Sequence, residues 1–534
     1  MALLFRIPHL LARTALALAL AFGSSLPAVC AAASRPNIVF IMTDDHASHA
    51  MSCYGSRVNE TPHLDRLAAG GVRFSNAFVT NSICTPSRAT LLTGKYSHSN
   101  GTPVFNTFNG EQQHVAKLLQ AGGYHTAMVG KWHLGSAPTG FDHWKILPGQ
   151  GRYRDPILYD AEGAKTYDGY ASDVITDLGI AALKARPKDR PFFLMLHHKA
   201  PHREWEPDEK NRALFANRTI PEPATLRDDY ATRPAALPEN AQTVFKDLTR
   251  RDLKLEPPAD LAGPARNQWL SVKPTEVELE ESGIKRILKG EALERWKFQR
   301  YMKDYLACVQ GVDDNVGRFL DWLKSEGLAA NTLVLYTSDN GFYLGDHGMY
   351  DKRFMYEPSL RVPLLAAGPG VKGGQVSEAF ALNVDFAPTF LDVAGLPIPP
   401  DMQGRSLKGI LAGNAPADWR KSMYYRYYHD PGHHNTRAHY GVRTATHKLI
   451  YYWKKDAWEL FDLRSDPDEL KNLYGTPGAE SVTAKLKEEL ARLRTELKDE
   501  DQFAQELPKD GVDGGVLRWA PGFGPQGPKE RALH

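Results

Sequence analysis

Hydrophobic positions along this chain fall into short, nearly unbroken runs separated by longer stretches with helical spacing. Asn37-Ile-Val-Phe-Ile-Met42 is one such run, and Ala127 to Gly130, Phe192 to Leu196 and Leu333 to Thr337 repeat it. A strand covered on both faces has no polar alternation, so these runs predict the buried strands of a parallel sheet. Between them, Pro62 to Ala68, Gln112 to Gln120, Tyr170 to Lys184 and Trp296 to Lys324 place apolar residues three and four apart, which is the spacing of a helix with one buried face. Alternating strands and helices predict an α/β domain, a large and mostly parallel sheet with helices on both sides. In such sheets ligands gather beyond the carboxyl ends of the strands.

The pattern changes twice. Glu204 through Lys285 is rich in Pro, Asp, Arg and Asn and reads as a long surface excursion with some short helices. After about Trp419, the segments Tyr440–Thr446, His447–Trp453 and Trp458–Leu463 have the Tyr, Trp and Ile content of short antiparallel strands. Ser481 to Leu497 then has helical spacing with many charges. The expected organisation is a leader over 1–33, a large α/β domain over 34–425, a smaller α+β subdomain over 426–505 and an extended tail over 506–534.

Composition adds three constraints. At 534 residues, 42% hydrophobic and 24% charged, the chain is long enough for a large domain plus a smaller one. A formal net charge of +2 lacks the concentrated basic footprint of a nucleic-acid binder. Arg6 and Arg13, the apolar run Ala15 to Phe22, and small residues at Ala28 and Ala31 to Ala33 follow the order of a secretory signal peptide. That run is shorter than the ~20 residues a spanning helix needs. A secreted or periplasmic protein with no membrane span is therefore expected. After the leader only Cys53, Cys84 and Cys308 remain, too few for a disulfide framework. The question becomes whether one of them does chemistry.

Cys84 is the candidate. It opens the string Cys84-Thr-Pro86-Ser-Arg88 within Ser82 to Gly94. Pro86 suits a first helical turn, which would set Cys84 just before a helix N-terminus, where exposed N–H groups favour anions. Arg88, one turn on, can aim its guanidinium at the same place. The full string resembles the signature of the formylglycine-dependent sulfatases, of the alkaline-phosphatase-like superfamily. Gly123 to His133, with Lys131 and His133, resembles that family's second signature. The resemblance implies that dedicated maturation machinery converts Cys84 to formylglycine, an aldehyde whose hydrate attacks sulfur. Collapse of the hydrate then expels sulfate by breaking carbon–oxygen rather than sulfur–oxygen, which splits one hard step into two.

Asp44 and Asp45 end the first strand, and Asp339-Asn340 follow the run Leu333 to Thr337. Alone, each pair reads as a polar strand end or a turn. Together, four oxygen-bearing side chains at two strand ends suit a hard cation such as calcium, with its ~6–8 oxygen ligands, rather than zinc. The resemblance makes Asp44, Asp45, Asp339 and Asn340 ligands of one calcium ion, with modified Cys84 completing the set.

Lys131 and His133, two apart, would share a face on extended backbone. The resemblance gives Lys131 a contact to nucleophile and sulfate, and makes His133 the base that deprotonates the second hydroxyl. His202, in Lys199-Ala-Pro-His202-Arg203, resembles the family histidine that protonates the leaving alcohol, with His197 and His198 as neighbouring competitors. Lys352 resembles a sulfate-binding lysine. Tyr356 to Pro363 recurs in the family and reads as fold support.

The surroundings, Phe141 to Trp144, Gly149 to Gly151 and Lys199 to Arg203, resemble N-acetylglucosamine-6-sulfatase-like members, which act on heparan, keratan or mucin-type glycans. Asp346, His347 and Arg353 are candidate sugar contacts, and Trp144 or Trp205 could stack on a ring. Three readings stay open beside a glycan sulfatase: a phosphate or phosphonate ester hydrolase of the same superfamily, an aryl sulfatase, and a non-catalytic glycan-binding module.

Overall fold

The computed structural model describes residues 35–281 and 284–512. The leader and most of the expected tail lie outside them. Ten strands form the main sheet in the order Gln375–Ser377, Val72–Phe74, Leu364–Ala367, Thr332–Ser338, Asn37–Thr43, Phe192–His197, His125–Lys131, His143–Leu147, Ile157–Asp160, Gly163–Thr166. The five from Thr332–Ser338 to His143–Leu147 run parallel, and antiparallel pairs flank them on each side. All seven residues of Asn37–Thr43 are buried, as an unbroken apolar run at the centre of a two-sided sheet requires. One apolar core lies on each face of this sheet.

Each predicted strand and helix is present, shifted by a few residues at its ends. The largest difference is the helix expected from Trp296, which begins at Gly290 and runs 36 residues to Ser325. At 1.5 Å per residue that is ~54 Å of rod, and helices Pro62–Gly70, Ala171–Ala185 and Glu209–Phe215 pack along it.

The stretch 204–285 is not purely a surface excursion. Its short helices Glu209–Phe215, Val244–Asp247 and Gly263–Leu270 are joined by a hairpin, Glu276–Glu281 with Ile284–Lys289, that the composition did not predict. Trp205, Phe215, Leu226, Leu237, Val244 and Leu248 are buried. Isolated apolar residues in a polar stretch pin the chain down without any periodic pattern to announce it.

A second sheet of four antiparallel strands follows: Ser422–Tyr427, His439–Thr444, His447–Tyr452 and Ala457–Asp462, with helix Glu480–Glu496 packed on it. Its first strand crosses the expected boundary at 425/426. The loop after the main-sheet strand Thr332–Ser338 and this small sheet share a third core, in which Phe354, Met355 and Tyr356 sit among Tyr425, Tyr427 and Val442. No helix among the described residues is long and apolar enough to cross a membrane.

Candidate active site

The carboxyl ends of three central strands, two of them adjacent and the third one strand further on, converge on one spot. Thr43 leads into Asp44-Asp45, Ser338 into Asp339-Asn340, and Lys131 closes the strand His125–Lys131. The backbone ties the first two together: Asp339 N–H donates to Thr43 O at 3.1 Å, and Asp45 N–H to Asp339 Oδ1 at 3.3 Å. Asp45 holds φ at 66°, which turns its carboxylate out of the strand line.

Cys84 is the first residue of helix Cys84–Thr93, not the residue before it, since Ile83 keeps extended backbone as the N-cap. The thiol is 1% exposed and donates to Asp44 Oδ1 at 3.5 Å. Burial first, then the Asp44 charge, pushes the thiol up, so the unmodified side chain is a protonated and poor nucleophile. Arg88 Nε and Nη2 donate to Asp339 Oδ2 at 3.0 and 2.8 Å, and Nη1 donates to Lys131 O at 2.6 Å. The guanidinium thus braces the acidic cluster from the helix side.

Two ammonium groups close the pocket. Lys131 Nζ donates to Asp44 Oδ2 and to Gln150 Oε1, and Lys352 Nζ donates to Asp45 Oδ1. The expected shared face of Lys131 and His133 does not apply, because His133 has left the strand with φ at 52°. Gln150 joins the two instead: its Nε2 lies 3.2 Å from His133 Nε2. Burial would raise Asp44, but the charges of Lys131, Arg88 and Lys352 hold it well below the carboxylate range. Asp45 goes the other way. Burial, reinforced by Asp44, Asp351 and Asp339 against the pull of Lys352, pushes it up to about 7.

The donor set fits a hard cation. Carboxylate oxygens of Asp44, Asp45 and Asp339 lie within 4.8 Å of one another. Asp45 Oδ2 and Asn340 Oδ1 are buried without a hydrogen-bond partner, and buried oxygens of that kind call for a ligand. Every one of these atoms is an oxygen, the choice of calcium rather than of a softer ion.

Of the three candidate histidines, His202 has a ring nitrogen near this cluster, with Nε2 3.7 Å from Asp45 Oδ2. Its Nδ1 faces the Arg203 carbonyl at 2.5 Å, so Nδ1 carries the proton of a neutral ring. Burial and then Lys131 keep it neutral. His197 meets the Lys131 carbonyl from below at 3.2 Å, and both ring nitrogens of His198 are buried without partners.

Arg353, with φ at 96°, directs Nη1 to Asp351 Oδ2 at 2.7 Å, and His434 Nε2 meets the same oxygen at 2.9 Å. Arg353 Nε has no partner although the residue is 4% exposed. The signatures do not contain Asp351-His434 as a pair, because His434 arrives from the connection between the first two strands of the small sheet. Asp346 and His347 are not brought to this spot. Asp346 pairs with His49 at 3.2 Å and His347 with Asp228 at 2.9 Å, and both line a separate cavity of about 270 Å³ with Glu357 and Arg361. Trp205 is fully buried against Tyr301, so its ring is not free to stack on a sugar, and Trp144 is half-buried against the core.

Opposed buried carboxylates and ammonium groups at a helix start are arranged to receive a tetrahedral oxyanion beside a cation, which defines a hydrolase of sulfuryl or phosphoryl esters. Comparison with known proteins narrows that class. The family model Sulfatase matches residues 36–396, and the model described as N-sulphoglucosamine sulphohydrolase, C-terminal, matches 345–496. The chain belongs to the sulfatase family and is a sulfuric ester hydrolase. It is 46% identical over 493 residues to N-acetylglucosamine-6-O-sulfatase of Bacteroides thetaiotaomicron, covering 88% of each chain. It is 27% identical over 506 residues to N-acetylglucosamine-6-sulfatase of Homo sapiens, covering 84% of this chain and 82% of that one. A solved protein in complex with its substrate, D-glucosamine-2-N,6-O-disulfate, superposes with a TM-score of 0.82 at 43% identity, over 89% of this chain and all of that one.

Proposed function

We propose that this protein removes the 6-O-sulfate of N-acetylglucosamine or glucosamine residues in sulfated glycans, and that Cys84 does so as formylglycine. The observation that carries the reading is the Cys84 side chain seated on Asp44 at a helix start, between Lys131 and Lys352, in a chain 46% identical to N-acetylglucosamine-6-O-sulfatase. Asp44, Asp45, Asp339, Asn340 and residue 84 would hold the calcium ion, which supplies a Lewis acid for a sulfate oxygen. The aldehyde hydrate supplies a nucleophile whose second hydroxyl later drives sulfate release.

The remaining work falls to the chain's own groups. Arg88 fixes Asp339 and, with the first helical turn, presents positive potential to the sulfate. Lys131 and Lys352 neutralise Asp44 and Asp45 and can turn to the sulfate oxygens as it arrives. His133, oriented by Gln150 and by Thr85, is placed to take a proton from residue 84. His202 holds its proton on Nδ1. An anionic ester brings the negative charge that raises the ring, so that Nε2 can protonate the leaving sugar oxygen. Arg353, Asp351 and His434 offer two donors around one acceptor, a pattern suited to sugar hydroxyls. The sulfated glycan is the partner, a signal peptide directs the protein to the periplasm or exterior, and maturation machinery converts Cys84.

The test pairs two measurements on purified enzyme. Ion chromatography should detect sulfate release from N-acetylglucosamine-6-sulfate and from glucosamine-2-N,6-O-disulfate, and mass spectrometry of the residue 84 peptide should show the aldehyde. Release from 2-O- or 3-O-sulfated sugars only, or full activity with an intact thiol, would refute the proposal.

A further inference from the structure

Two backbone segments meet at the reacting side chain, Ser82–Cys84 from one side and Lys352–Met355 from the other. Both rest on the small antiparallel sheet, and one hydroxyl touches both. Tyr425, on the strand Ser422–Tyr427, is fully buried. Its Oη accepts the Ser82 N–H at 3.1 Å and donates to the Arg353 carbonyl at 2.5 Å. Ser82 stands two residues before Cys84, and Arg353 follows Lys352.

Arg353 needs such a hold. A φ of 96° puts a non-glycine residue in the left-handed half of the map, a conformation that persists only when its surroundings over-determine it. Two residues on, Met355 N–H donates to His439 Nε2 at 3.0 Å, while His439 Nδ1 faces the Arg437 carbonyl at 2.8 Å. The His439 ring stacks on Phe354 and on Tyr425, with centroids 5.7 and 5.6 Å apart. Met355 itself lies against bare backbone at Gly441, where an added Cβ would come within 2.7 Å of its sulfur. The small sheet is therefore a seat shaped for this loop.

We propose that Tyr425 is a positioning residue: its hydroxyl locks the Cys84 segment and the Lys352–Arg353 loop to one another through the small sheet. The proposal rests on the roles given above to Cys84, Lys352 and Arg353. Without the hydroxyl, a buried N–H and a buried C=O lose their shared partner, and the two segments relax independently. Misalignment of reacting groups by about 1 Å is enough to cost about 100-fold in rate.

Tyr425→Phe in the full chain tests this beside the unaltered enzyme, with rates normalised to aldehyde content at residue 84. The expected result is a fall in kcat/KM on N-acetylglucosamine-6-sulfate of about 10- to 100-fold. Hydrogen exchange should quicken together in peptides covering 80–84 and 352–356, while strands His439–Thr444 and His447–Tyr452 keep their protection. Unchanged kcat/KM with unchanged exchange overturns the proposal. A rise in exchange across the whole small sheet also overturns it, since that marks Tyr425 as core support only. If the unaltered enzyme is inactive on this sugar yet the two peptides still respond together, the substrate reading fails and the link between the segments stands.

Discussion

At position 84 the sulfur atom has the surroundings of a reactive group and the protonation of an inert one. Burial removes the water that a thiolate would need, and the Asp44 charge adds to that against the pull of Lys352 and Lys131. On the proposed mechanism the reactive form is the aldehyde hydrate, which needs no thiolate at this position. Cys84→Ala should release no sulfate while its thermal midpoint stays within a few degrees of the parent, as a turnover assay and a melting curve would establish. Cys84→Ser should be equally silent, or accumulate a sulfated protein visible by mass, in a host that converts cysteine only; sustained turnover by it would count against the covalent mechanism. The meeting of Cys84 and Arg88 at one helix start was legible in the sequence because the residues from Ser82 to Gly94 form one contiguous string. Asp351, His434 and Tyr425 were not legible. Each comes from a different segment, and nothing local distinguishes them from ordinary surface Asp and His or core Tyr. Asp346 and His347, expected as sugar contacts with Arg353, line a cavity with Glu357 and Arg361 instead of joining the Asp351–His434 group, a placement set by the turn at Gly345 to Gly348 that no local pattern announces.

Among the elements, the small sheet carries the clearest pH signature. Glu459, on Ala457–Asp462, is buried between Tyr356 and Tyr452, whose hydroxyls donate to its two oxygens at 2.9 and 3.0 Å. Burial outweighs those hydrogen bonds and pushes the carboxyl up to about 7. A group whose folded value lies above its unfolded value contributes stability in full below the unfolded one and loses it as pH rises through the folded one. The window here runs from about 4.5 to about 7. Glu459→Gln, which keeps the shape without the charge, should remove roughly 3 kcal/mol of pH-dependent stability across that window. Urea unfolding at pH 5 and pH 8 checks this: the parent should weaken toward pH 8 more than the variant, and equal slopes would reject the assignment. The strands themselves were legible from alternation and aromatic content, but the sheet's role was not. A seat for a distant loop is a property of tertiary packing, and Gly441 within a strand is its one local mark.

For the molecule as a whole, the charge balance of the pocket links stability to metal. Three carboxylates meet Arg88, Lys131 and Lys352, yet Asp45 Oδ2 and Asn340 Oδ1 have no partner. A divalent ion bound there stabilises the folded state by mass action, by about 2.7 kcal/mol at a hundredfold excess over its Kd. Titrating calcium into chelator-treated enzyme should raise the Tm in a saturable way, and Asp45→Asn and Asp339→Asn should abolish the rise; a Tm indifferent to calcium would remove the metal from this site. The α/β architecture that holds those groups was readable because unbroken apolar runs have few other homes in a protein. The expected surface excursion was misread because burial by scattered residues leaves no period to detect.

All ten residues of the helix that begins at Cys84 are enclosed. A protein-sized catalyst has no route to that sulfur once the sheets have closed over it. On the proposed maturation, a converting enzyme would have to reach this side chain in the nascent, still-open polypeptide, before the helix is enclosed.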